Sequence, residues 1–400
     1  VVGLLSLGFT LAYVDRTILS IALASADFKG QFALSDNARG LLNSAFFWSY
    51  ALLQVPCGYL TDRYGVRWPY AIAIFGWSII SGLTCLASSL WQLFAIRLLL
   101  GAGEAIVTPA SIRWIATNIP ERHRGLAVGI LFAGAKFGPA IGAQLAVMLI
   151  EALGWRWMFL ILGGGSAVFV IPWLMLVRDG PAAGVRSGAS GAASLGGIWR
   201  SPVIYGILLG TVAYNYFNYF NLTWLPAYFV EQWDLPLSSM GAYTAFSFLG
   251  MAATAIGSGA LADLLIRRGA PAVAVRKLFT VGGLAIASLE IVGATTSSRE
   301  LAVAAAMVAM AGLGLTTANY WALTQTLMQG AAIGRIAGLQ NFASNLAGIA
   351  APALTGWLIH STGNYRAPLW AILAVLLMGV IAYVFLVREK YARPAKDYWR

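Results

Sequence analysis

The chain has 400 residues, of which 59% are hydrophobic and only 10% charged, whereas soluble domains carry about a quarter charged residues. That excludes an ordinary soluble protein. A net charge of +11 would suit nucleic acid, but the basic residues gather in short joints between apolar stretches and mostly on one side, so the charge reports membrane topology and no nucleic-acid partner is expected.

In chain order, apolar stretches of about 20 residues, the length that crosses a bilayer as a helix, predict twelve transmembrane helices. They cover 1–24, 38–59, 68–88, 91–117, 124–149 and 155–177, then 201–230, 237–264, 275–296, 299–328, 335–360 and 366–388. The chain starts at Val1 inside an apolar stretch, so the natural N-terminus is expected to lie upstream. Arg63, Arg67, Arg124, Arg178, Arg267, Arg268, Arg276 and Lys277 fall on one side, against Lys29, Arg39, Arg156, Arg299 and Arg366 on the other. This bias predicts that both termini are cytoplasmic. Segment 178–200, rich in Gly, Ala and Ser, reads as a flexible cytoplasmic linker. It divides the chain into an N-terminal six-helix bundle, 1–177, and a C-terminal one, 201–388, followed by a cytoplasmic tail, 389–400. Gly58-Tyr-Leu-Thr-Asp62 after the second span recurs as Gly259-Ala-Leu-Ala-Asp263 after the eighth. The expected fold is therefore an all-α membrane protein of two pseudo-symmetric six-helix bundles, a repeat design that places a site at the membrane midplane.

Six ionisable side chains fall inside the apolar spans: Asp15 and Arg16 in the first, Arg97, Glu104 and Arg113 in the fourth, and Lys136 in the fifth. Each costs about 3 kcal/mol near the middle of a spanning helix, so they must face one another, water or a substrate. Four cations and two carboxylates suggest a cavity that attracts an anion and carries protons. Arg97 and Glu104 share a helix stripe but lie about 10 Å apart along the axis, so each needs a partner from another helix. Adjacent residues point about 100° apart, so Tyr13, Arg16 and Ser20 can line one face while Asp15 turns to a neighbour; an Asp15–Arg97 contact is expected. Arg16 offers a planar fork matched to a substrate carboxylate, with the Tyr13 hydroxyl beside it. Asp15 and Glu104, with Arg97, are the expected proton-coupling groups. Lys136, about twelve residues into the fifth span, is a second cation that can select dianions or anions with polar tails, or can tether Glu104. Arg113 lies nearer the cytoplasmic end, where its side chain can snorkel.

Gly58-Tyr-Leu-Thr-Asp62-Arg63-Tyr-Gly65-Val-Arg67, between the second and third spans, resembles the signature of the major facilitator superfamily. Physically, glycine allows a tight turn while Asp62 and the arginines form a charge latch that favours one conformer of a rocking pair. Tyr13-Val-Asp15-Arg16-Thr-Ile-Leu-Ser20, Arg97-Leu-Leu-Leu-Gly-Ala-Gly-Glu104, Pro120-Glu-Arg-His-Arg124-Gly and Gly154-Trp-Arg-Trp-Met-Phe159 resemble the anion:cation symporter family. That family includes bacterial sugar-acid/proton symporters and the animal vesicular glutamate and lysosomal sialic acid transporters. The resemblance implies proton-coupled symport of a small organic anion by alternating access, in a bacterial inner membrane and as a monomer, with the same roles for Tyr13, Asp15, Arg16, Arg97 and Glu104. Lys136 departs from the amide of the symporters resembled. The alternative is a proton-coupled antiporter exporting drugs or organic anions, because Gly134-Ala-Lys136-Phe-Gly138-Pro139-Ala-Ile-Gly142 resembles a motif of drug antiporters.

The second half lacks central charge. In the seventh span Asn215, Asn218 and Asn221 form a polar stripe beside Tyr219; Asn319, Tyr320 and Thr324 follow in the tenth, and Asn341 and Asn345 in the eleventh. Of these, Asn215, Tyr219, Asn319 and Asn341 are expected to meet substrate hydroxyls, with interhelical hydrogen bonding as the other reading. Glu290, in the outer part of the ninth span, is expected at the interface. An enzyme is disfavoured: His123 is in a loop, His360 is at a helix end, and no His-Glu-x-x-His, Gly-x-Ser-x-Gly or paired intramembrane aspartate occurs. No metal or other cofactor is expected, since two cysteines and two histidines supply neither a disulfide framework nor a metal site.

Overall fold

The computed structural model describes residues 1–179, 201–328 and 332–388. Most of the expected linker, 178–200, and the tail, 389–400, lie outside the described residues. Among these every regular element is helical. In order they are α1 (Val2–Ala24), α2 (Ala26–Phe32), α3 (Asp36–Tyr64), α4 (Arg67–Leu83), α5 (Leu90–Glu104), α6 (Val107–Asn118), α7 (Glu121–Leu153), α8 (Trp155–Met158), α9 (Val170–Leu176), α10 (Pro202–Ala227), α11 (Leu237–Arg267), α12 (Ala272–Ala287), α13 (Val292–Thr295), α14 (Arg299–Leu327), α15 (Ala332–Thr362) and α16 (Arg366–Ile381).

Among the described residues, ten segments are long and apolar enough to cross a membrane. α3 and α10, of 29 and 26 residues, are long enough to make up the twelve. Their apolarity is diluted by Asn43, Ser44, Ser49 and Gln54 in α3 and by Asn215, Asn218 and Asn221 in α10. Several spans are less regular than expected. The fourth breaks after Glu104, because Pro109 cannot donate to the Ala105 carbonyl four residues earlier and its ring crowds that group. The sixth passes from α8 through a π turn, Phe159–Gly163, and a 3-10 stretch, Gly164–Phe169, into α9. The ninth is interrupted by a 3-10 turn, Ser288–Ile291, between α12 and α13. Helix starts carry their expected signals: Ser35 accepts from the Ala38 N–H, and Ser89 and Gln92 form a reciprocal capping box.

The described residues form two compact units. The first comprises residues 1–179, Leu222–Ala245 and Pro352–His360. In it α7 lies along α1 through Gly134, Gly138 and Gly142, where an added Cβ would press on Ser6, Thr10, Tyr13 and Val14. α5 is wedged between α3 and α4: a Cβ on Gly101 would strike the Phe46 carbonyl, and one on Gly103 would come within 3.0 Å of Trp77. Small residues at such crossings let membrane helices approach closely. At one end Glu231 accepts from Lys29 Nζ at 2.5 Å and pairs with Arg39 at 3.0 Å. Buried Arg39 also holds Asp36 at 2.7 Å and lies over the Trp224 ring at 4.8 Å.

The second unit comprises residues 201–221, 246–328, 332–351 and 361–388. Here α12 seats on α14 at Gly283 and Gly312. The Tyr214 and Tyr320 rings stack at 4.6 Å, and Tyr214 Oη shares a 2.9 Å hydrogen bond with Thr317 Oγ1. Glu290 corrects an expectation. It is 2% exposed, with neither carboxylate oxygen hydrogen-bonded, because the 3-10 turn directs it inward and not to the interface.

Candidate functional site

The charges of the first unit converge on Arg16. Its Nε donates to Glu104 Oε2 at 2.8 Å, and the two side chains are 5% and 0% exposed. The break after α5 leaves Glu104 at a helix end opposite α1. The guanidinium lies 4.6 Å from the Tyr13 ring centre, 4.6 Å from Phe46 and 4.8 Å from Tyr50. A flat, weakly hydrated cation suits such a box, each face contact contributing about 0.5–2 kcal/mol. Tyr50 and Thr108 hydroxyls share a hydrogen bond at 3.3 Å, and Ser49 Oγ donates to the Leu98 carbonyl at 2.6 Å, fixing α3 against the broken fourth span.

The expected Asp15–Arg97 contact is not formed. Residues 100° apart on α1 diverge: Arg16 turns to α3 and α5, while Asp15 turns to α4, where Ser81 Oγ donates to its Oδ1 at 2.6 Å. Trp77 Nε1 lies within reach of the Asp15 carboxylate but short of a well-formed hydrogen bond. Ser81 is steadied from behind by the glycines of the sixth span, a Gly82 Cβ position lying 3.1 Å from Gly164 Cα, and by the Ser78–Ser166 hydroxyl pair at 2.7 Å. Arg97 is buried, forms no ion pair, and lies 5.4 Å from the Phe46 ring already faced by Arg16, so two guanidiniums share one aromatic. Lys136 on α7 is half-buried, within electrostatic reach of Tyr13.

The latch residues form a different set from the one expected. Asp62 pairs with Arg113 of α6, not with Arg63 or Arg67. Arg63 lies over the Tyr64 ring at 5.3 Å, and Arg67 donates to the Leu174 carbonyl at 2.7 Å. Gly58 lends its carbonyl to Thr61 Oγ1 at 2.8 Å. Gly65 has φ +79° and ends α3 where Asp179 Oδ1 accepts from the N–H groups of Val66 and Arg67 at 2.7 and 3.0 Å. Of the two arginines of this turn, one thus covers a neighbouring ring and the other reaches the sixth span, while the intramembrane-looking Arg113 reaches the turn carboxylate. In the repeat, Asp263 pairs at 2.9 Å with an arginine of the following span, Arg276.

Asn215, Tyr219, Asn319 and Asn341 belong to the second unit. Asn215 Nδ2 donates to the Thr211 carbonyl at 2.8 Å, and Asn319 Nδ2 to the Leu315 carbonyl at 2.9 Å, both within their own helices. Asn319 Oδ1 is buried with no hydrogen-bond partner. Tyr219 is buried and Asn341 half-buried. Phe46, Tyr50, Ser81 and Glu231 were not singled out from the sequence. The aromatic run Phe46-Phe-Trp-Ser-Tyr50 in a polar-interrupted span was the one available signal.

Residues 5–352 match the model of the Major Facilitator Superfamily. A D-galactonate transporter of Escherichia coli O6:H1 is 30% identical over 95% of this chain and 93% of its own. A probable L-galactonate transporter of Escherichia coli K12 is 28% identical over 96% and 88%, and the hexuronate transporter of Bacillus subtilis 28% over 99% and 96%. A bacterial homolog of the human lysosomal transporter Spinster, in an inward-facing and occupied conformation, shares the fold with a TM-score of 0.77 at 19% identity, over 99% of this chain and 97% of that one. The chain, helical in every regular element described, with its buried ion pair between α1 and α5 and matched along nearly its whole length, belongs to the Major Facilitator Superfamily and is a transporter rather than an enzyme.

Proposed function

We propose that the chain is a proton-coupled symporter of a small organic anion, a sugar acid such as galactonate or a hexuronate, or another hydroxycarboxylate, working by alternating access. The observation that carries this is the Arg16–Glu104 pair at 2.8 Å inside the aromatic box of Tyr13, Phe46 and Tyr50. A carboxylate already occupies the place a substrate carboxylate would take. Exchange then follows from charge balance: the substrate takes the Arg16 fork, with Tyr13 beside it, and the displaced Glu104 is left as a buried carboxylate without its cation. An unpaired buried charge is costly, so Glu104 takes a proton. Asp15, anchored by Ser81, is the second proton carrier, and Arg97 holds the local field. Coupling is thus a consequence of burial, since an anion that displaces Glu104 from Arg16 leaves a buried carboxylate that a proton must neutralise.

Asn215, Tyr219, Asn319 and Asn341 are proposed to recognise substrate hydroxyls, which amides and a phenol suit by both donating and accepting. Asp62 with Arg113, together with Gly58, Arg63, Gly65 and Arg67, forms the conformational latch. The halves 1–177 and 201–388 are the alternating bundles, joined by 178–200. A bacterial inner membrane with cytoplasmic termini, and a monomer, complete the reading. The glycines of α7 seat it on α1, so the motif shared with drug antiporters requires no export chemistry.

The test is uptake of radiolabelled galactonate, glucuronate, galactarate and lactate into proteoliposomes, with and without an inward proton gradient, for wild type, Arg16→Ala and Glu104→Gln. Gradient-stimulated uptake, abolished in Arg16→Ala, is expected, with Glu104→Gln retaining exchange but losing accumulation. Absence of any uptake, with efflux of lipophilic compounds instead, would overturn the symport reading.

A further inference from the structure

α7 carries two exposed stripes. One is broad and apolar, with Leu126, Ile130, Phe137, Ile141, Leu145 and Met148, as a lipid-facing surface should be. The other, about a third of a turn away by helix geometry, runs Gly125, Gly129, Phe132 and Lys136, then Ala140, Ala143 and Val147. Its first three residues are exposed, Lys136 is half-buried, and the last three are buried. The closed end is where Gly241 of α11 meets Val147, a Cβ there lying 2.7 Å from Val147 Cγ2. Gly134, Gly138 and Gly142, which meet α1, point away from Lys136 by the same geometry. Lys136 therefore sits where an accessible face of the helix becomes sealed. It is also within electrostatic reach of Tyr13, whose ring faces the Arg16 guanidinium at 4.6 Å.

Among the described residues, the membrane interior of the first unit then holds three cations, Arg16, Arg97 and Lys136, and two carboxylates, Asp15 and Glu104. The ionised set has one surplus positive charge. A monoanion cancels it with no proton, and adding a proton restores the surplus. A dianion overshoots by one negative charge, and one proton brings the loaded site to neutrality. With a neutral side chain at 136 the same count changes by one, and a monoanion with one proton becomes the neutral load.

We infer that Lys136 sets the charge of the transported substrate: the coupled substrate is a dianion with an anionic group at each end, such as a sugar dicarboxylate, and it crosses with one proton. Arg16 takes one end and Lys136 the other. This rests on the proton-symport reading above and specifies its substrate class.

Galactarate and galactonate share a carbon skeleton and differ by one terminal carboxylate, so they separate charge from shape. With the full chain in proteoliposomes at neutral pH and an inward proton gradient, wild type is expected to accumulate galactarate at least about ten-fold over galactonate. Lys136→Gln should invert that ratio and Lys136→Arg should keep it. Equal gradient-driven accumulation of both acids by wild type, or a ratio unchanged in Lys136→Gln, overturns the charge-selection inference and leaves symport standing. Uptake of neither acid by wild type overturns both. The wild-type ratio decides the matter even where a variant fails to fold.

Discussion

The interiors of the two units are opposites. The first holds five charged side chains near the middle of its spans, four of them within or beside the aromatic box on Phe46 and the Ser81 contact; the second holds, among the described residues, a single buried carboxylate, Glu290, and otherwise aromatic rings and amides. The repeated turn carboxylates, Asp62 and Asp263, pair with arginines of non-equivalent spans, Arg113 and Arg276, so the two halves differ in their pairing as well as in their interiors. Charge is costly in a membrane wherever it stands. Gathering it in one unit lets each cation be balanced by a carboxylate or an aromatic face, while the other unit satisfies its polar groups with carbonyls of its own helices. Under the proposed symport, the unit with charge would carry anion and proton, and the unit without it would grip hydroxyls.

The strongest way to break this comparison is at Arg16. Arg16→Lys keeps the charge but loses the flat faces stacked on Tyr13, Phe46 and Tyr50 and the directional Nε bond to Glu104; gradient-driven uptake should fall more than about 100-fold, about 3 kcal/mol or more of transition-state stabilisation, in a protein that still elutes as a folded species. Activity near wild type would mean that charge alone suffices. Next, Gly101→Val forces a branched side chain against the Phe46 carbonyl. It should destabilise the protein by about 1–3 kcal/mol, read as a drop in Tm in detergent. Asn319→Ala in the second unit removes an amide whose donor is already held by the Leu315 carbonyl; a KM increase of several-fold with kcat little changed is expected, and total loss of transport would place the second unit at the centre of the chemistry. The smallest effect should come from Glu290→Gln, a near-isosteric replacement of a carboxylate without partners. Accumulation should be unchanged and Tm equal or higher, because an amide avoids the cost of an ionisable group in an apolar site. Loss of proton-driven uptake would show that the second unit also carries charge chemistry.

Much of this was legible in the sequence because hydropathy and intramembrane charge are one-dimensional signals. The spans, the half-chain repeat, and Asp15, Arg16, Arg97, Glu104 and Lys136 as the charged interior follow from counting and periodicity. Pairing is not one-dimensional. Whether Asp15 meets Arg97 or Ser81 depends on how α1 is rotated against α4 and α5, and that rotation is set by where glycines permit contact: Gly138 and Gly142 against α1, Gly101 against α3, Gly103 against Trp77. The break after Glu104 was marked by Pro109, but an unbroken apolar run across 91–117 masked it. Glu290 misled for a related reason, since hydropathy places it near a span end while a 3-10 turn rotates it inward. Arg113 read as a snorkelling side chain; its carboxylate partner lies 51 positions earlier in the chain, a distance at which spacing says nothing.

The Glu231 cluster and the Arg16–Glu104 pair are both ion pairs, yet they answer differently to the medium. Lys29 and Glu231 retain 29% and 20% of their side-chain exposure, so mobile ions reach them, and screening over about 8 Å at physiological ionic strength weakens their attraction. Arg16 and Glu104, at 5% and 0%, are beyond that reach. Raising salt therefore loosens the tie that joins the π turn after α10, Tyr228–Gln232, to α2 while leaving the interior pair at full strength, which makes ionic strength a means of separating the two.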